Sequence, residues 1–327
     1  MTQTSRPKIV VLDDYEQAFT QSPAWQHLRE RVELTICTQP LRGAALLECI
    51  RDAQVLVLMR DRTPLKAELI AQLPQLKLVV FTGNRNLALD TQALAGRGIP
   101  VCHTGWGPSK DSTAELTWAM VMAAHKRLLE NSQAMAKGQW RSPHALLPVL
   151  KGETLGVIGL GDIGGRVARY AQAFGMRVLA WSPRMTAERA QAQGASFVEL
   201  DTLLAESKIV SLHLVATPQT QGLIDAQKLA LMRPDSILVN TSRSTLVRTA
   251  DLVQALQQGR PGQAALDVFD QEPLPQDDPL RQLPQVLLMP HLGFVAAPVF
   301  EGFVDDTHET ISAWLQGQPL PRVLSSS

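Results

Sequence analysis

The sequence predicts an α/β protein built from two doubly wound parallel-sheet domains. The chain has 327 residues, which is enough for two domains of ordinary size. Short β-branched runs alternate with longer amphipathic patterns from one end to the other, as expected for parallel strands joined by crossover helices. These runs fall into two sets separated by a long helical pattern, and each set is large enough for its own sheet.

The first set of predicted strands fills the first hundred residues and makes one complete sheet. Its members are KIVVL (8 to 12), VELTI (32 to 36), VLVLM (55 to 59), LKLVVF (76 to 81) and PVCH (100 to 103). The second set predicts six strands. Its members are TLGVIGL (154 to 160), RVLAW (177 to 181), KIVSLHL (208 to 214), SILVN (236 to 240), AALDVF (264 to 269) and VLLMP (286 to 290).

Two helical patterns lie outside the βα alternation. Residues 112 to 130 carry a capping-box spacing at Ser112 and Glu115 and an apolar stripe, so we expect a long helix that bridges the two domains. The members of that stripe are Leu116, Met120, Ala123 and Leu128. A second pattern, from about 299 to 316, is too short for a domain and is expected to pack on the first domain.

Charge and cysteine content argue against several kinds of partner. The 31 basic side chains balance 31 acidic ones, so we expect neither nucleic acid nor a membrane surface as a partner. The sequence has three cysteines, Cys37, Cys49 and Cys102. They form no CxxC pair, and no histidine lies at a zinc-binding spacing from them, so neither a disulfide framework nor a metal site is indicated. The first apolar run has four residues, too few for a signal peptide, and the sequence predicts a soluble cytoplasmic protein.

A glycine-rich loop follows the first strand of the second set. GLGDIG at 159 to 164 stands between the strand LGVI and a helical pattern, the context that a dinucleotide fingerprint requires. Gly159 would permit the tight turn, Gly161 a close approach of the backbone to a pyrophosphate, and Gly164 close packing of strand and helix. The helix N-terminus would then attract the anion. The alternative is that these glycines only shape a turn.

The end of the next strand indicates which nicotinamide cofactor is used. An NAD-binding unit places an acidic residue there for the adenosine ribose, but this sequence has Ser182, with Arg184 two residues later. An arginine can pair with a 2′-phosphate, so the sequence favours NADP(H) over NAD(H). The alternative is that Arg184 is a solvated loop residue and that NAD(H) is used. Further cofactor contacts are expected from Asp162, Ile163, His213, Thr241 and Asp267, and the alternative for His213 is a structural role at the end of a buried strand.

The last three predicted strands each lead to a side chain able to do chemistry. These are Arg243, Glu272 and His291, and ligands of doubly wound sheets bind at this edge. The arginine fork matches a substrate carboxylate, and a histidine suits proton transfer to a forming alkoxide. Glu272 would favour the imidazolium and fix the ring. The alternatives are a surface ion pair for Arg243, a turn residue for Glu272 and a capped strand end for His291.

Five segments of the chain resemble the D-isomer-specific 2-hydroxyacid dehydrogenase family, and together they span most of its length. They are TGNRNLALD (82 to 90), GLGDIGGRVAR (159 to 169), LVNTSRS (238 to 244), AALDVFDQEPLP (264 to 275) and PHLGFV (290 to 295). The resemblance implies that His291 is the general acid/base, that Glu272 is its partner, and that Arg243 anchors the substrate carboxylate. It further implies that backbone amides around Gly83 and Asn84 share that carboxylate.

The resemblance also implies a domain arrangement. A Rossmann nucleotide-binding domain, residues 104–292, would be inserted into a flavodoxin-like substrate-binding domain made of residues 1–103 and a C-terminal helix within 293–327. The bridging helix commonly contributes to a dimer in this family, so we expect a homodimer.

Three residues depart from the family pattern. Ser244 replaces the glycine that usually follows the arginine, Ala296 stands where many members carry a hydroxyl, and Val215 stands where many carry proline. None of these changes removes a predicted catalytic group.

The sequence therefore predicts reversible reduction of a small 2-oxo acid, such as glyoxylate or hydroxypyruvate, to its D-2-hydroxy acid. Substrate contacts are expected from Thr82, Gly83, Asn84 and Arg243. Arg60 and Arg62 follow a first-domain strand and could meet a phosphate or second carboxylate, but a solvated loop is the favoured interpretation. The alternative function is a catalytically silent NAD(P)(H)-sensing protein of the same fold.

Overall fold

The computed structural model describes residues 6–141 and 146–324. The chain forms two compact units: the first runs to Pro108 and resumes at Ala296, and the second comprises Ser109–Val295. The boundaries expected from the sequence, after residues 103 and 292, lie a few residues earlier. No helix in the described part of the chain is long and apolar enough to cross a membrane.

The first unit contains a five-stranded parallel sheet with the order β2-β1-β3-β4-β5. This is the flavodoxin-like order, and it confirms the predicted fold class for this unit. Val10, Leu56 and Val79 are fully buried at the centre of the sheet, where helices cover both faces. The strands are β1 (Lys8–Leu12), β2 (Glu33–Ile36), β3 (Val55–Leu58), β4 (Leu78–Phe81) and β5 (Val101–His103). The helices before the second unit are α1 (Ala18–Gln21), α2 (Pro23–Leu28), α3 (Gly43–Ile50), α4 (Ala67–Ile70) and α5 (Thr91–Gly96).

The second unit contains a seven-stranded parallel sheet with the order β8-β7-β6-β9-β10-β11-β12. This is the Rossmann order with one further strand at the edge. The strands are β6 (Thr154–Ile158), β7 (Arg177–Trp181), β8 (Ser196–Phe197), β9 (Ile209–Leu212), β10 (Ile237–Asn240), β11 (Gln263–Leu266) and β12 (Val286–Leu288). The helices are α6 (Ser109–His125), α7 (Leu128–Ala136), α8 (Asp162–Ala173), α9 (Ala187–Gln191), α10 (Leu200–Glu206), α11 (Ala226–Leu231) and α12 (Thr249–Gln257). The sequence missed β8, whose two residues give no detectable alternation.

A long helix forms where one was predicted at 112 to 130, and Leu116 and Met120 of its apolar stripe face the core, but the predicted bounds and the place of Leu128 in the stripe are wrong. The chain forms α6 from Ser109, so Ser112 lies inside the helix and does not cap it. Arg127 adopts a left-handed conformation with φ 45°, which ends α6 and starts α7. Met120 is buried as predicted, but Leu128 is 52% exposed. No glycine or proline marks this break, so residue pattern alone does not reveal it.

The chain returns to the first unit in one long helix, α13 (Ala297–Leu315), close to the predicted bounds. The indole Nε1 of Trp25 donates a hydrogen bond to the Val304 carbonyl at 3.3 Å, which ties α2 to α13. Beyond α13, Val323 pairs with Cys102 in an antiparallel bridge, and Leu324 N–H donates to Val101 O at 2.8 Å. The end of the described chain is therefore held against the edge of β5.

Candidate functional site

The glycine loop between β6 and α8 requires glycine at two of its three positions. Gly159 has φ 102°, and a Cβ added there would lie 2.7 Å from the carbonyl carbon of His213. A Cβ on Gly164 would lie 2.1 Å from the Gly159 carbonyl oxygen, so the helix could not pack this closely on the loop. A Cβ on Gly161 would meet nothing within 4 Å. The loop therefore leaves open space directly over the start of α8.

The start of α8 has the features that a pyrophosphate requires. Gly161 is the N-cap residue and offers no side-chain cap, so the first N–H groups of α8 lie beside that open space. Asp162 is exposed and forms an ion pair with Lys110, which holds the pKa of that carboxyl below its usual value. Ile163 packs on the core. Lys110 was not predicted, because it belongs to α6, far away in sequence from the loop.

The turn after β7 presents arginines and no acid. Ser182 follows β7 directly, and Arg184 is exposed two residues later. The Arg189 guanidinium reaches back from α9 and donates to the Arg184 carbonyl oxygen at 2.9 Å. Arg189 was not predicted as a cofactor contact. Its place in the short helix that follows the loop after β7 could have suggested one.

The predicted acid/base pair is formed in the second unit. Nδ1 of His291 lies 2.7 Å from Oε2 of Glu272, and the other carboxylate oxygen accepts the Phe269 N–H at 3.0 Å. The His291 side chain is 26% exposed, and its ring packs edge-on against Phe294 with centroids 5.5 Å apart. Because Nδ1 faces the carboxylate, Nε2 is the ring atom that can exchange a proton with a bound molecule.

A buried carboxylate holds the His291 loop in an unusual shape. His291 has φ 55°, and the two residues after it donate their N–H groups to Asp267, at 2.7 Å from Leu292 and 2.9 Å from Gly293. Asp267 is fully buried, and burial raises its pKa to about 6 despite these two bonds. Both of its oxygens are therefore used by the loop.

Arg243 enters the same edge of the sheet from β10. Its Nη1 donates to the Ser242 carbonyl at 2.7 Å, and its own carbonyl accepts Nδ2 of Asn240 at 2.9 Å. Since β10, β11 and β12 are neighbours, the segments that carry Arg243, Glu272 and His291 leave from the carboxyl ends of three adjacent strands. The predicted convergence at one sheet edge therefore has a structural basis.

Two further predicted cofactor residues lie at the ends of neighbouring strands, where Thr241 is buried and His213 is half-buried. The Thr241 hydroxyl lies 2.7 Å from that of Thr117 on α6. The His213 Nε2 lies 2.8 Å from the Ser211 hydroxyl, and burial lowers the pKa of His213 to about 4. His213 is therefore a neutral imidazole at physiological pH.

The departures from the family pattern have local explanations. Ser244 begins a 3-10 turn, Ser244–Leu246, a backbone shape that any L residue can adopt, so glycine is not required there. Ala296 is the N-cap residue of α13 and gives it no side-chain hydrogen bond, which a hydroxyl could supply. Val215 is 56% exposed. We find no structural reason for valine at this position.

The expectation that Arg60 and Arg62 lie in a solvated loop is wrong. Arg60 is 6% exposed, has φ 55°, and lies with its guanidinium carbon 4.3 Å from the centre of the Trp106 ring. Arg62 pairs with Glu16 through two bonds of 2.8 and 2.6 Å. Trp106 is distant in sequence from Arg60, which is why the sequence did not reveal the stack.

The predicted substrate loop after β4 packs against Arg60. The Thr82 hydroxyl accepts the Arg60 N–H at 2.9 Å, and a Cβ on Gly83 would lie 1.9 Å from Arg60 Nη1. The Gly83 N–H donates to the Thr104 hydroxyl at 2.7 Å, whereas Asn84 is exposed. In this structure the Gly83 amide, predicted to bind a carboxylate, therefore has a protein partner.

Comparison with known proteins identifies the family. The profile described as D-isomer specific 2-hydroxyacid dehydrogenase, NAD binding domain, matches residues 118–293. The chain belongs to the D-isomer specific 2-hydroxyacid dehydrogenase family. Its second unit thus contains the NAD-binding domain of a family of oxidoreductases.

Relatives of known activity differ in what they reduce or oxidise. The chain is 34% identical to a glyoxylate reductase of Thermococcus litoralis, over 88% of this chain and 87% of that protein. It is 36% identical to a glyoxylate reductase of Aeropyrum pernix over the same shares. A D-3-phosphoglycerate dehydrogenase of Mycobacterium leprae is 33% identical over 96% of this chain, which spans 58% of that longer protein.

Solved structures show the same architecture. The phosphoglycerate oxidoreductase of Vibrio cholerae has a TM-score of 0.87 and 34% identity, covering 95% of this chain and 99% of that one. The D-lactate dehydrogenase of Aquifex aeolicus, solved with NAD and lactic acid, has a TM-score of 0.77 and 28% identity, covering 95% and 96%. These likenesses confirm the predicted family and fold class.

Proposed function

We propose that this protein reduces a small 2-oxo acid to its D-2-hydroxy acid with a reduced nicotinamide cofactor, and catalyses the reverse reaction. The observation that carries the proposal is the 2.7 Å contact between His291 and Glu272. This pair stands at the carboxyl edge of a sheet whose glycine loop and uncapped helix start suit a dinucleotide. When bound, the reduced nicotinamide supplies the hydride.

His291 and Glu272 move the proton in this proposal. In reduction, protonated His291 gives its Nε2 proton to the carbonyl oxygen of the substrate as that oxygen becomes an alkoxide. The Glu272 carboxylate accepts a hydrogen bond from Nδ1, which fixes the ring and stabilises its positive charge. Positioned proton transfer of this kind contributes about 10² to 10⁴ in rate.

Arg243 anchors the substrate in this proposal. Its guanidinium binds the substrate carboxylate and orients the adjacent carbonyl, with a charge-assisted bond worth ~1.5 to 3 kcal/mol. From the first unit, which serves as the substrate-binding domain, we propose Thr82, Gly83, Asn84 and Arg60 as further contacts. The Gly83 N–H would then exchange its Thr104 partner for substrate.

The proposed substrate class follows from the relatives and from Arg60. Glyoxylate reductases match most of this chain at about the same length. Arg60 is stacked on Trp106 and hydrogen-bonded to Thr82, so it is less suited to receive a phosphate than an exposed arginine would be. Glyoxylate and hydroxypyruvate are therefore favoured over 3-phosphoglycerate.

A panel of substrates tests this function directly. The ultraviolet absorbance of reduced nicotinamide is followed with NADH or NADPH and with glyoxylate, hydroxypyruvate, phenylpyruvate or pyruvate, and in the reverse direction with 3-phosphoglycerate. We expect turnover of the small 2-oxo acids, with a D-configured product where it is chiral. Tight cofactor binding without turnover of any acid would instead support a silent NAD(P)(H)-sensing protein.

We propose that NADP(H) is preferred over NAD(H). Arg184 and Arg189 would pair with the 2′-phosphate beside Ser182, where no carboxylate repels it. Replacing both arginines by alanine should lower kcat/KM for NADPH by about tenfold or more, because a charge-assisted bond to phosphate is lost. The value for NADH should stay within about twofold. Equal losses with the two cofactors would contradict this preference.

We also propose that the protein is a homodimer. None of the residues of α7 is buried, and Leu128, Leu129 and Met135 are each more than half exposed, as is Trp140 just beyond the helix. Apolar surface concentrated in this way is typical of a protein interface. Light scattering should give twice the chain mass, and the double substitution Leu128→Glu with Leu129→Glu should give a monomer. A wild-type monomer would refute the proposal.

A further inference from the structure

Two cysteines of the first unit bring their thiols together. The Sγ atoms of Cys37 and Cys49 are 3.5 Å apart. Cys37 directly follows β2, Cys49 lies near the end of α3, and both are half-buried. The third cysteine, Cys102, is fully buried in β5. This pair was not predicted, because eleven residues separate the two thiols and no CxxC spacing is present.

The geometry allows a bond between these sulfurs with little movement. A disulfide has an S–S length of about 2.05 Å, so the two atoms must approach by roughly 1.4 Å. The backbone of Cys37 is fixed, since its N–H donates to Val11 O at 2.8 Å and its carbonyl accepts the Asp14 N–H at 2.9 Å. The approach therefore has to come from rotation of the two side chains and a small shift of α3.

We propose that Cys37 and Cys49 form a reversible dithiol/disulfide couple, a modification site that small peroxides oxidise and small dithiols reduce. Half-burial suits oxidants of this size, because they can reach the sulfurs where a protein partner cannot. Cys102 is buried deeply enough to stay outside this chemistry.

The surroundings assign different roles to the two thiols. Burial, the hydrogen bond with Cys49 and the charge of Asp13 all raise the pKa of Cys37. A thiol that holds its proton more tightly is the weaker nucleophile, so the proposal assigns the first attack to Cys49.

The proposed oxidation is balanced in atoms and electrons. The Cys49 thiolate attacks one oxygen of hydrogen peroxide, which gives a sulfenic acid at Cys49 and, with a proton, one water. The Cys37 sulfur then attacks the sulfenic sulfur; the S–S bond forms, and the hydroxyl leaves as a second water with the Cys37 proton. Two thiols lose two electrons in total, and the peroxide gains them.

The couple lies beside a network that supports the Arg60 loop. The Asp13 carboxylate accepts hydrogen bonds from the hydroxyls of Thr63 at 2.6 Å and Tyr15 at 2.9 Å. The Cys37 carbonyl accepts a hydrogen bond from the N–H of Asp14, the residue after Asp13. Oxidation would therefore tie α3 covalently to the segment from which this network starts.

The test uses the full-length protein, first fully reduced and then treated with hydrogen peroxide while folded. Thiols are counted after denaturation, and peptides are mapped by mass spectrometry without reduction. We expect the count to fall from three to one with the loss of two hydrogen atoms, a linked Cys37–Cys49 peptide, and full recovery with dithiothreitol. Cys102→Ser should form the same link and serves as the matched control.

Single variants separate the two roles. Cys37→Ser should accumulate a sulfenic acid at Cys49 that dimedone traps, whereas Cys49→Ser should give no trapped product at Cys37 over the same time. Three remaining thiols in the treated wild type, a link between two chains, or oxidation of Cys102 as fast as the pair would each overturn the proposal.

Discussion

The loops that carry His291 and Arg60 contain the same left-handed backbone conformation, but different contacts stabilise it in each loop. Both residues have φ 55°, a left-handed conformation that is uncommon outside glycine and costs energy. The His291 loop is held by the charged group of Asp267, which binds the next two N–H groups. Arg60 itself is held by uncharged groups, the Thr82 hydroxyl and the Trp106 ring, and the Asp13 carboxylate binds Thr63 further along that loop.

This difference shows how each loop serves its side chain. A carboxylate below His291 makes its loop geometry sensitive to charge and pH, whereas the support of Arg60 depends on packing and stacking. Substitutions in the first loop should therefore affect rate and pH dependence, and those in the second should affect mainly substrate affinity.

Among residues that position another side chain, Glu272 should have the largest effect on the rate. Glu272→Gln keeps the size of the side chain but removes the charge that stabilises the imidazolium, so kcat should fall by at least about tenfold. Steady-state kinetics measure this loss, and the dissociation constant of the reduced cofactor should not change. The matched control is Glu30→Gln, which alters an exposed glutamate of the first unit. An unchanged kcat in Glu272→Gln would show that the 2.7 Å contact has no catalytic role.

Asp267 should make stability depend on pH. Its pKa rises from 3.8 to about 6 on folding, so its contribution is greatest below pH 4 and is lost as the pH rises through 6. The loss is about 3 kcal/mol, from a shift of roughly two units at ~1.4 kcal/mol each. Asp267→Asn has no titrating group at this position, so the difference in unfolding free energy between the two proteins removes the contributions of all other titrating groups. Urea unfolding of both proteins from pH 4 to 7 measures it, and parallel curves would contradict the prediction.

Trp106 should affect affinity more than rate. Trp106→Leu removes the ring over Arg60, a desolvated cation–π contact worth up to about 2 kcal/mol. We expect KM for the 2-oxo acid to rise about tenfold with kcat nearly unchanged. Trp106→Phe keeps a weaker aromatic face and should give a smaller rise. If both variants lower kcat and leave KM alone, the Arg60 loop does not act through substrate binding.

The smallest effect is expected at Ala296, outside both loops. Ala296→Ser adds a side-chain cap to α13 and should raise the free energy of unfolding by about 1 kcal/mol. Chemical denaturation measures the gain, and Ala296→Val, which cannot cap, is the control. Equal stabilities of the serine and valine variants would show that α13 gains nothing from a cap.

The sequence predicted best those features that local pattern determines. Both sheets were predictable because buried parallel strands give continuous apolar runs, and the pair of Glu272 and His291 was predictable because parallel strands end at one edge. Arg60 was misread because its partner Trp106 comes from a different strand end. The pair of Cys37 and Cys49 was missed for the same reason, since only the packing of α3 beside β2 brings these sulfurs together.

The break between α6 and α7 was missed for a different reason. Arg127 is left-handed although nothing in its residue type favours that conformation. Lys110, which neutralises Asp162 at the glycine loop, depends on how α6 packs beside α8. Contacts that depend on how the helices pack on the sheet therefore cannot be predicted from the residue pattern alone.

The central claim is that His291 transfers the proton that accompanies hydride transfer. Its most direct test is a single-turnover measurement of reduced cofactor oxidation by glyoxylate, with wild type and His291→Ala compared at equal cofactor saturation. His27→Ala, at an exposed histidine, is the control. We expect unchanged cofactor binding and a rate lower by about 10² to 10⁴ in His291→Ala. A His291→Ala rate within a few-fold of wild type would contradict it.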